Sequence, residues 1–499
     1  MTAGVLPSPL PLPSPLPSAL AAALDEVINT VLAGTLDPVS VPGVAYSIWY
    51  GGQEVVSGGL GVVDKVRGGV PNATTVFRVG SVTKVLTALL AYQAVDAGAL
   101  RSLDDVVNAY AVPAYTPFSP WPGADVNYTF RQLASHTAGL QRECPLGVAT
   151  SDGVAAAVAA SPFAVPPGTV PRYSNLGFGI LGHVVADNVR GVDYGSLLAA
   201  GLCAPLNLTN TGVNYTADVV ARMATGYNID GSPSGIVSLG WAAPAAEAYS
   251  TADDLSTLLQ SLIAAAAPAT VLTPPPAPLP LSAAQTRAFL APVYVAPNHT
   301  YVVGTPWQGF PLENVTVLTK DGDVPGYSAL ISLVPGLAAS MVFLWNGQSM
   351  AGTFEPGVAA WDAFIPPLMA VLTAAAPPPP SPPNTTAYLG TYVGSYYGYP
   401  LTANISLAPD GASLALATAI TPFGAWMTGV LAYMPPPSAA GPDAFRFLYR
   451  EPYTPADAVW QAEFFAAWEG SFITFSRDAR GNVANITFVG EGGITAARA

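Results

Sequence analysis

The sequence predicts an α+β chain in two folded parts, a large mixed domain of helices and strands followed by a small antiparallel β-barrel domain. Three observations carry this. Before residue 376, apolar residues recur at helical spacing in some segments and alternate in others. The run APPPPSPPNTT (376–386) then breaks the pattern and reads as a semi-rigid linker. After it, short alternating runs separated by turn residues take over.

Taken in order, residues 1–20 form an extended proline-rich arm, with prolines spread over 7–17. GVAYSIWY and QEVVSGGLGVV predict a hairpin at the start of a domain spanning 21–375. SVTKVLTALLAYQAVDAGAL is helical: Val85, Leu86, Leu89, Leu90 and Ala94 share one face, and Gly98 sits near the end. PATVLTPPPAPLPL (268–281) reads as a surface insertion between helical patterns. ALISLVPGLAASMVFLW alternates around a turn and predicts a buried hairpin. In 387–499, LTANISLAPDGASLALATAI and NVANITFVGE are strand runs, and Pro-Asp-Gly and Arg-Gly-Asn mark turns.

Composition narrows the function. The chain has 499 residues, about half apolar, with a net charge of −14. That excludes a disordered protein and argues against nucleic-acid or anionic-membrane partners. No unbroken apolar run of about 18 residues predicts a membrane span. Of 17 basic residues only Lys65, Lys84 and Lys320 are lysine. Drift toward GC-rich codons explains the scarcity but not the placement. A retained lysine suits a task arginine cannot do, the loss of a proton. Cys144 and Cys203, with His136, His183 and His299, are too few for a structural zinc site, and neither a metal nor a cofactor is expected. One disulfide and two separate buried thiols both remain open. Nine N-x-S/T sequons occur, at Asn72, Asn127, Asn207, Asn214, Asn298, Asn314, Asn384, Asn404 and Asn485. Chance predicts about two or three. The excess points to a glycosylated protein of a secretory route, although the opening MTAGVLPSPLPLPSPLPSALAAAL lacks the basic n-region of a signal peptide.

Chemistry concentrates in three places. In FRVGSVTKVLTALL, Ser81 and Lys84 are spaced i, i+3 where a strand-like run becomes a helix. A serine there gains from the positive helix end, and a buried lysine one turn on can take its proton. Ser81 alone would more often be an N-cap. In PPGTVPRYSNLGFGILG, a tyrosine beside a lysine favours its phenolate, so Tyr173 suits a general base, and Asn175 offers an amide donor and acceptor. A packed tyrosine before a helix cap is the plainer alternative. In LTKDGDVPGYSALISL, Lys320 closes a strand-like run, and Gly322, read as lying on an edge strand, permits close backbone approach. An ordinary turn is the alternative there.

Ser-x-x-Lys, Tyr-x-Asn and Lys-x-Gly in this order resemble the signatures of the serine β-lactamase and penicillin-binding-protein superfamily, in its class C β-lactamase, esterase and D-aminopeptidase branch. GALRSLDDVVNAY, FRQLASHTAGL, APLNLTNTGV and AYSTADDLSTLL resemble the family's connecting segments, so the likeness covers roughly 25–370. It implies an antiparallel sheet flanked by helices with an all-helical subdomain. YLGTYVGSYYG resembles, more weakly, the start of the lipocalin-like barrel that often follows. The resemblance implies that Ser81 is acylated, that Lys84 and Tyr173 move protons, and that Asn175 holds a substrate amide. It gives Lys320 the role of stabilising Tyr173, and it assigns the oxyanion hole to the N–H groups of Ser81 and Asp323. A small-molecule or peptide substrate follows; the oligomeric state does not. His136, in SHTAGL, reads as a packed or capping residue, because no G-x-S-x-G elbow supports a Ser-His-Asp site. His183 reads as structural and His299 as exposed.

Two departures from the family pattern matter. Asp321 stands where Thr, Ser or Gly is usual, with Asp323 two residues on; both would repel a substrate carboxylate. That favours an ester, amide or small peptide over an antibiotic, unless Asp321 is spent in a salt bridge with an arginine. Glu247, in PAAEAYST, replaces a small residue near the pocket floor. A binding or assembly protein that kept the fold, and a barrel that is itself the binding unit, are the rival functions.

Overall fold

Residues 43–61 form the first hairpin, β1 (Gly43–Tyr50) and β2 (Gln53–Gly61), turned by Gly51 and Gly52 at φ 61° and 85°. The computed structural model describes residues 12–499 except 122–126, 146, 267–276, 299, 313–314, 348–352, 376–383, 397, 409–413, 422–423, 435–442, 450–471, 479, 481 and 489–493. The proline arm, the 268–281 insertion and the 376–386 linker therefore fall partly outside the described residues. The Pro-Asp-Gly turn, the centre of the Arg-Gly-Asn turn, His299 and Asn314 lie outside them too. The chain forms two compact units, residues 7–375 and a second comprising 376–499.

In the first unit β3 (Phe77–Arg78) and β4 (Tyr249–Ser250) make a small separate ribbon. The remaining strands are β5 (Tyr294–Val295), β6 (Val302–Val303), β7 (Gln308–Leu312), β8 (Val315–Val324), β9 (Tyr327–Val334) and β10 (Ala339–Trp345). With β1 and β2 they build one antiparallel sheet in the order β2-β1-β10-β9-β8-β7-β6-β5. Every residue of β9 and β10 is buried, so this hairpin is covered on both faces rather than alternating in and out. The covers are two helices. Trp361, in the helix Phe354–Ala375, donates its indole N–H to Ser332 Oγ at 2.9 Å. Gln260, in the helix Ala252–Ala266, donates to Ser340 Oγ at 2.8 Å. Ser340 pairs with Leu333, the neighbour of Ser332, so the two helices lie on opposite faces of the sheet. Among the described residues, only Phe354–Ala375 is long and apolar enough to cross a membrane, which the sequence reading did not anticipate. Here its Trp361, Phe364, Ile365 and Leu368 are buried in the domain.

The polypeptide between residues 83 and 266 supplies most of the helices. The helix Thr83–Asp96 lies at its centre and is buried from Thr83 to Tyr92 on every side, not on the single face the spacing predicts. Helical segments packed around it, among them Asn175–His183, Ala243–Ala246 and Ala283–Leu290, leave it no solvent face. The helix ends where expected, with Gly98 at φ 68°.

The second unit is a closed barrel of eight antiparallel strands in chain order: β11 (Gly390–Tyr396), β12 (Tyr399–Leu407), β13 (Leu414–Ile420), β14 (Gly424–Met434), β15 (Asp443–Tyr449), β16 (Phe472–Arg477), β17 (Val483–Phe488) and β18 (Ile494–Arg498). β18 returns to β11 through Tyr392 and Arg498. Leu401, Ala403 and Ile405 point inward while their neighbours do not, the alternation read from the sequence. Tyr388, Phe445 and Phe475 meet edge to face at 5.0–5.2 Å and fill this part of the interior.

Candidate active site

The site starts from a backbone device. β7 pairs with β8 only as far as Thr319, so Lys320–Val324 run on with one locally free edge inside the sheet. The turn Gly80–Val82, which leads into the helix Thr83–Asp96, packs against that edge. A Cβ on Gly322 would collide with Val79 O and come within 2.7 Å of Ser81 N. A Cβ on Gly80, whose φ is 48°, would come within 2.8 Å of Asp323 N. Only glycines allow this seam, and it brings the N–H groups of Ser81 and Asp323 together.

Ser81 is half-buried at the seam. Lys84 Nζ lies 2.9 Å from its Oγ, and Tyr173 Oη lies 2.5 Å from the same atom. Lys84 is fully buried and also reaches Asn175 Oδ1 at 2.7 Å and Ala245 O at 2.8 Å. Burial first, and the Lys320 charge second, hold the Lys84 ammonium well below its ordinary range. A neutral amine has two N–H donors and one lone pair. In that form Asn175 Oδ1 and Ala245 O can take both donors and leave the lone pair facing Ser81 Oγ, whereas the ammonium form donates to all three oxygens. Tyr173 and Asn175 are placed by the helix Asn175–His183, capped when Ser174 Oγ accepts from Gly177 N at 2.8 Å.

Lys320 is also buried, and its ammonium lies 5.5 Å from the centre of the Tyr173 ring. It donates to Asp321 O at 2.6 Å and to Asp321 Oδ1 at 2.8 Å. Burial works against its charge, but Tyr173 and the Asp321 carboxylate outweigh burial and raise its pKa. Lys320 in turn pulls the Asp321 carboxyl below its usual range against the effect of burial. The partner of Asp321 is thus the neighbouring lysine, not an arginine. Asp323 accepts from the Ser328 hydroxyl at 2.6 Å, and burial raises its carboxyl.

Lys84 and Tyr173 thus lie within hydrogen-bond distance of Ser81 Oγ, Asn175 is joined to it through Lys84, and Lys320 stands 5.5 Å from the Tyr173 ring centre. The beta-lactamase family model matches residues 28–361, about two thirds of the chain. The chain belongs to the beta-lactamase family. It is 32% identical over 317 residues to a human protein described as beta-lactamase-like, covering 61% of this chain and 60% of that one. It is 27% identical over 363 residues to beta-lactamase-like protein 4 of Dictyostelium discoideum, covering 68% and 62%. The chain thus spans about three fifths of these relatives' length. A class C beta-lactamase from Rhodobacter sphaeroides superposes with a TM-score of 0.57 at 23% identity, over 70% of this chain and 99% of that one. A beta-lactamase/D-alanine carboxypeptidase from Pseudomonas syringae gives 0.57 at 20%, over 71% and 100%. These likenesses fix the fold of the beta-lactamase domain. The family match stops before the barrel, so nothing there bears on the lipocalin-like resemblance.

Sequence reasoning missed several neighbours in this beta-lactamase-family cleft. Glu143 Oε2 accepts from Asn175 Nδ2 at 2.7 Å, and its Oε1 pairs with Arg142 Nε at 3.0 Å. The Arg142 guanidinium lies 5.0 Å from the Tyr173 ring centre. His136, expected to be a packed residue, stacks on Tyr173 at 4.3 Å and 28°. Its Nδ1 accepts from Ser174 N at 3.1 Å, so the ring carries its proton on Nε2. Burial, then the charges of Lys84, Lys320 and Arg142, hold it well below its usual pKa and hence neutral. In the sequence this loop was marked only by SHTAGL, and nothing in it pointed to Tyr173. Glu247 accepts from Leu239 N at 2.6 Å and is buried, so it ties down a turn. A cavity of about 600 Å³ opens beside Asn175, lined by Val148, Leu239, Trp241, Ala245 and the half-buried thiol of Cys144. Cys144 and Cys203 are separate free thiols, which decides the open question against a disulfide.

Proposed function

We propose that this chain is a serine hydrolase that forms an acyl-enzyme at Ser81 on an ester, amide or small peptide, and is not a dedicated antibiotic-resistance enzyme. The carrying observation is the geometry at the half-buried Ser81 hydroxyl, whose Oγ has the buried Lys84 Nζ at 2.9 Å and Tyr173 Oη at 2.5 Å. Ser81 Oγ attacks the carbonyl carbon as its proton passes to Lys84 Nζ. The carbonyl oxygen becomes an oxyanion between the N–H groups of Ser81 and Asp323. As the carbon–leaving-group bond breaks, the leaving group takes a proton from Tyr173 Oη, which Lys84 replaces. Water, giving its proton back through the same pair, then releases the acid and restores Ser81.

A fluorophosphonate probe tests this. The wild-type chain is expected to be labelled and to hydrolyse a neutral nitrophenyl ester. Ser81→Ala should lose the label and at least about a thousandfold in kcat/KM. A wild-type chain that takes no label and turns over no ester would instead support the rival reading, a binding or assembly protein with this fold.

A further inference from the structure

The charges around Ser81 point to a narrower substrate class. Lys320 is one of two lysines in the cleft, and its hydrogen bonds go to Asp321, at 2.6 Å to the main-chain oxygen and 2.8 Å to the carboxylate. The lysine is 1% exposed and the Asp321 side chain 38%, so solvent and substrate meet the carboxylate, not the cation behind it. The other cation over Tyr173, Arg142, is more exposed, at 66%, and pairs with Glu143 at 3.0 Å. Asp323, one residue past Gly322, adds a further carboxylate held by the Ser328 hydroxyl. Lys320 and Arg142, whose charges lie over the Tyr173 ring, thus each have an adjacent acid, and Lys84 Nζ is already bonded to Ser81, Asn175 and Ala245.

We infer that the cleft acts on esters and amides that carry no carboxylate beside the scissile bond, and that Asp321 sets this preference by occupying the Lys320 ammonium. This rests on the acyl-transfer reading above. A substrate carboxylate would have to displace Asp321 from Lys320, the buried cation behind it, and would approach the carboxylates of Asp321 and Asp323. Neutral and amine-bearing substrates meet no such cost.

The test is a matched pair of esters, 3-acetoxybenzoic acid and its methyl ester, each rate divided by its rate with hydroxide to remove intrinsic reactivity. The wild-type chain should prefer the methyl ester by about tenfold or more in kcat/KM, the effect of one charge at short range. That ratio should shrink as salt is raised, which needs no variant. In Asp321→Asn, which keeps the shape and removes the charge, the ratio should fall at least about fivefold toward one. Equal use of the two esters by the wild-type chain, or a ratio untouched by Asp321→Asn, overturns the inference. The two readings fail separately. Turnover that survives Ser81→Ala sinks acyl transfer itself, whereas Ser81-dependent turnover without charge preference sinks only this specificity.

Discussion

His136 shows how one side chain can govern another's chemistry. Its φ of 59° puts it in the left-handed region, which disfavours most residues and is tolerated best by Asn and Gly. The backbone accepts this in order to set the imidazole flat against Tyr173 while Nδ1 holds Ser174 N–H. Two substitutions separate the roles. His136→Asn keeps the backbone conformation and removes the stacked ring. His136→Phe keeps a ring and leaves the Ser174 N–H unpaired, at about 1–3 kcal/mol. Both should cost about ten- to a hundredfold in kcat/KM. The pH profile distinguishes positioning from folding. Because Lys84 must be neutral to accept a proton and its pKa is depressed, kcat/KM should rise with pH through the folded Lys84 value and plateau below the ordinary 10.5. Loss of the neutral imidazole beside these groups should move that rise in His136→Asn. An unmoved rise with a lowered melting temperature would mean the ring only fills space. Ser81, Lys84, Tyr173, Asn175 and Lys320 were legible in the sequence because few residue types can do this chemistry and their motifs are local. Glu143 and His136 act across 32 and 38 residues of chain, and no spacing rule links them to Asn175 or Ser174.

At the scale of elements, the decisive feature is where β7 stops. The sequence reading closed a strand-like run at Lys320 and read Gly322 as lying on an edge strand; β8 runs on to Val324, and the edge expectation was half right. β8 is interior to the sheet, but its last five residues have lost one partner strand. Where a neighbouring strand ends depends on pairing across the fold, which alternation within one strand does not encode. Gly322→Ala tests the seam. Its new methyl would meet backbone atoms of Val79 and Ser81, which cannot rotate away. The expected result is a fall in fluorophosphonate labelling rate of about a hundredfold or more, with about 1–3 kcal/mol lost in stability. Labelling at the wild-type rate would show that the two amides do not need this approach. The central helix Thr83–Asp96 carries the same lesson. Its period was legible, but its burial on all sides was not, because the covering elements come from distant sequence.

At the scale of the molecule, a chain of net charge −14 combines a beta-lactamase-family unit with a closed barrel. The two were separable in the sequence because the periodicity changes across a proline-rich break. We extend the functional reading to a secreted glycoprotein. Of the sequon asparagines in the described residues, Asn72, Asn127, Asn207, Asn214, Asn298, Asn384 and Asn404 are exposed and Asn485 is half-buried, as attachment of a glycan requires. Expressed with a leader in eukaryotic cells, the chain should lose several kilodaltons on treatment with an N-glycosidase; an unchanged mass would remove the ground for that reading.

The thiol of Cys144 acquires significance in such surroundings. Burial, reinforced by Glu143, pushes it up to about 12, so almost none of it is thiolate at neutral pH. An unpaired cysteine bordering a reactive crevice would ordinarily invite mixed disulfides in an oxidising compartment. In such a compartment, the low thiolate fraction of Cys144 would slow that reaction without any covalent cross-link.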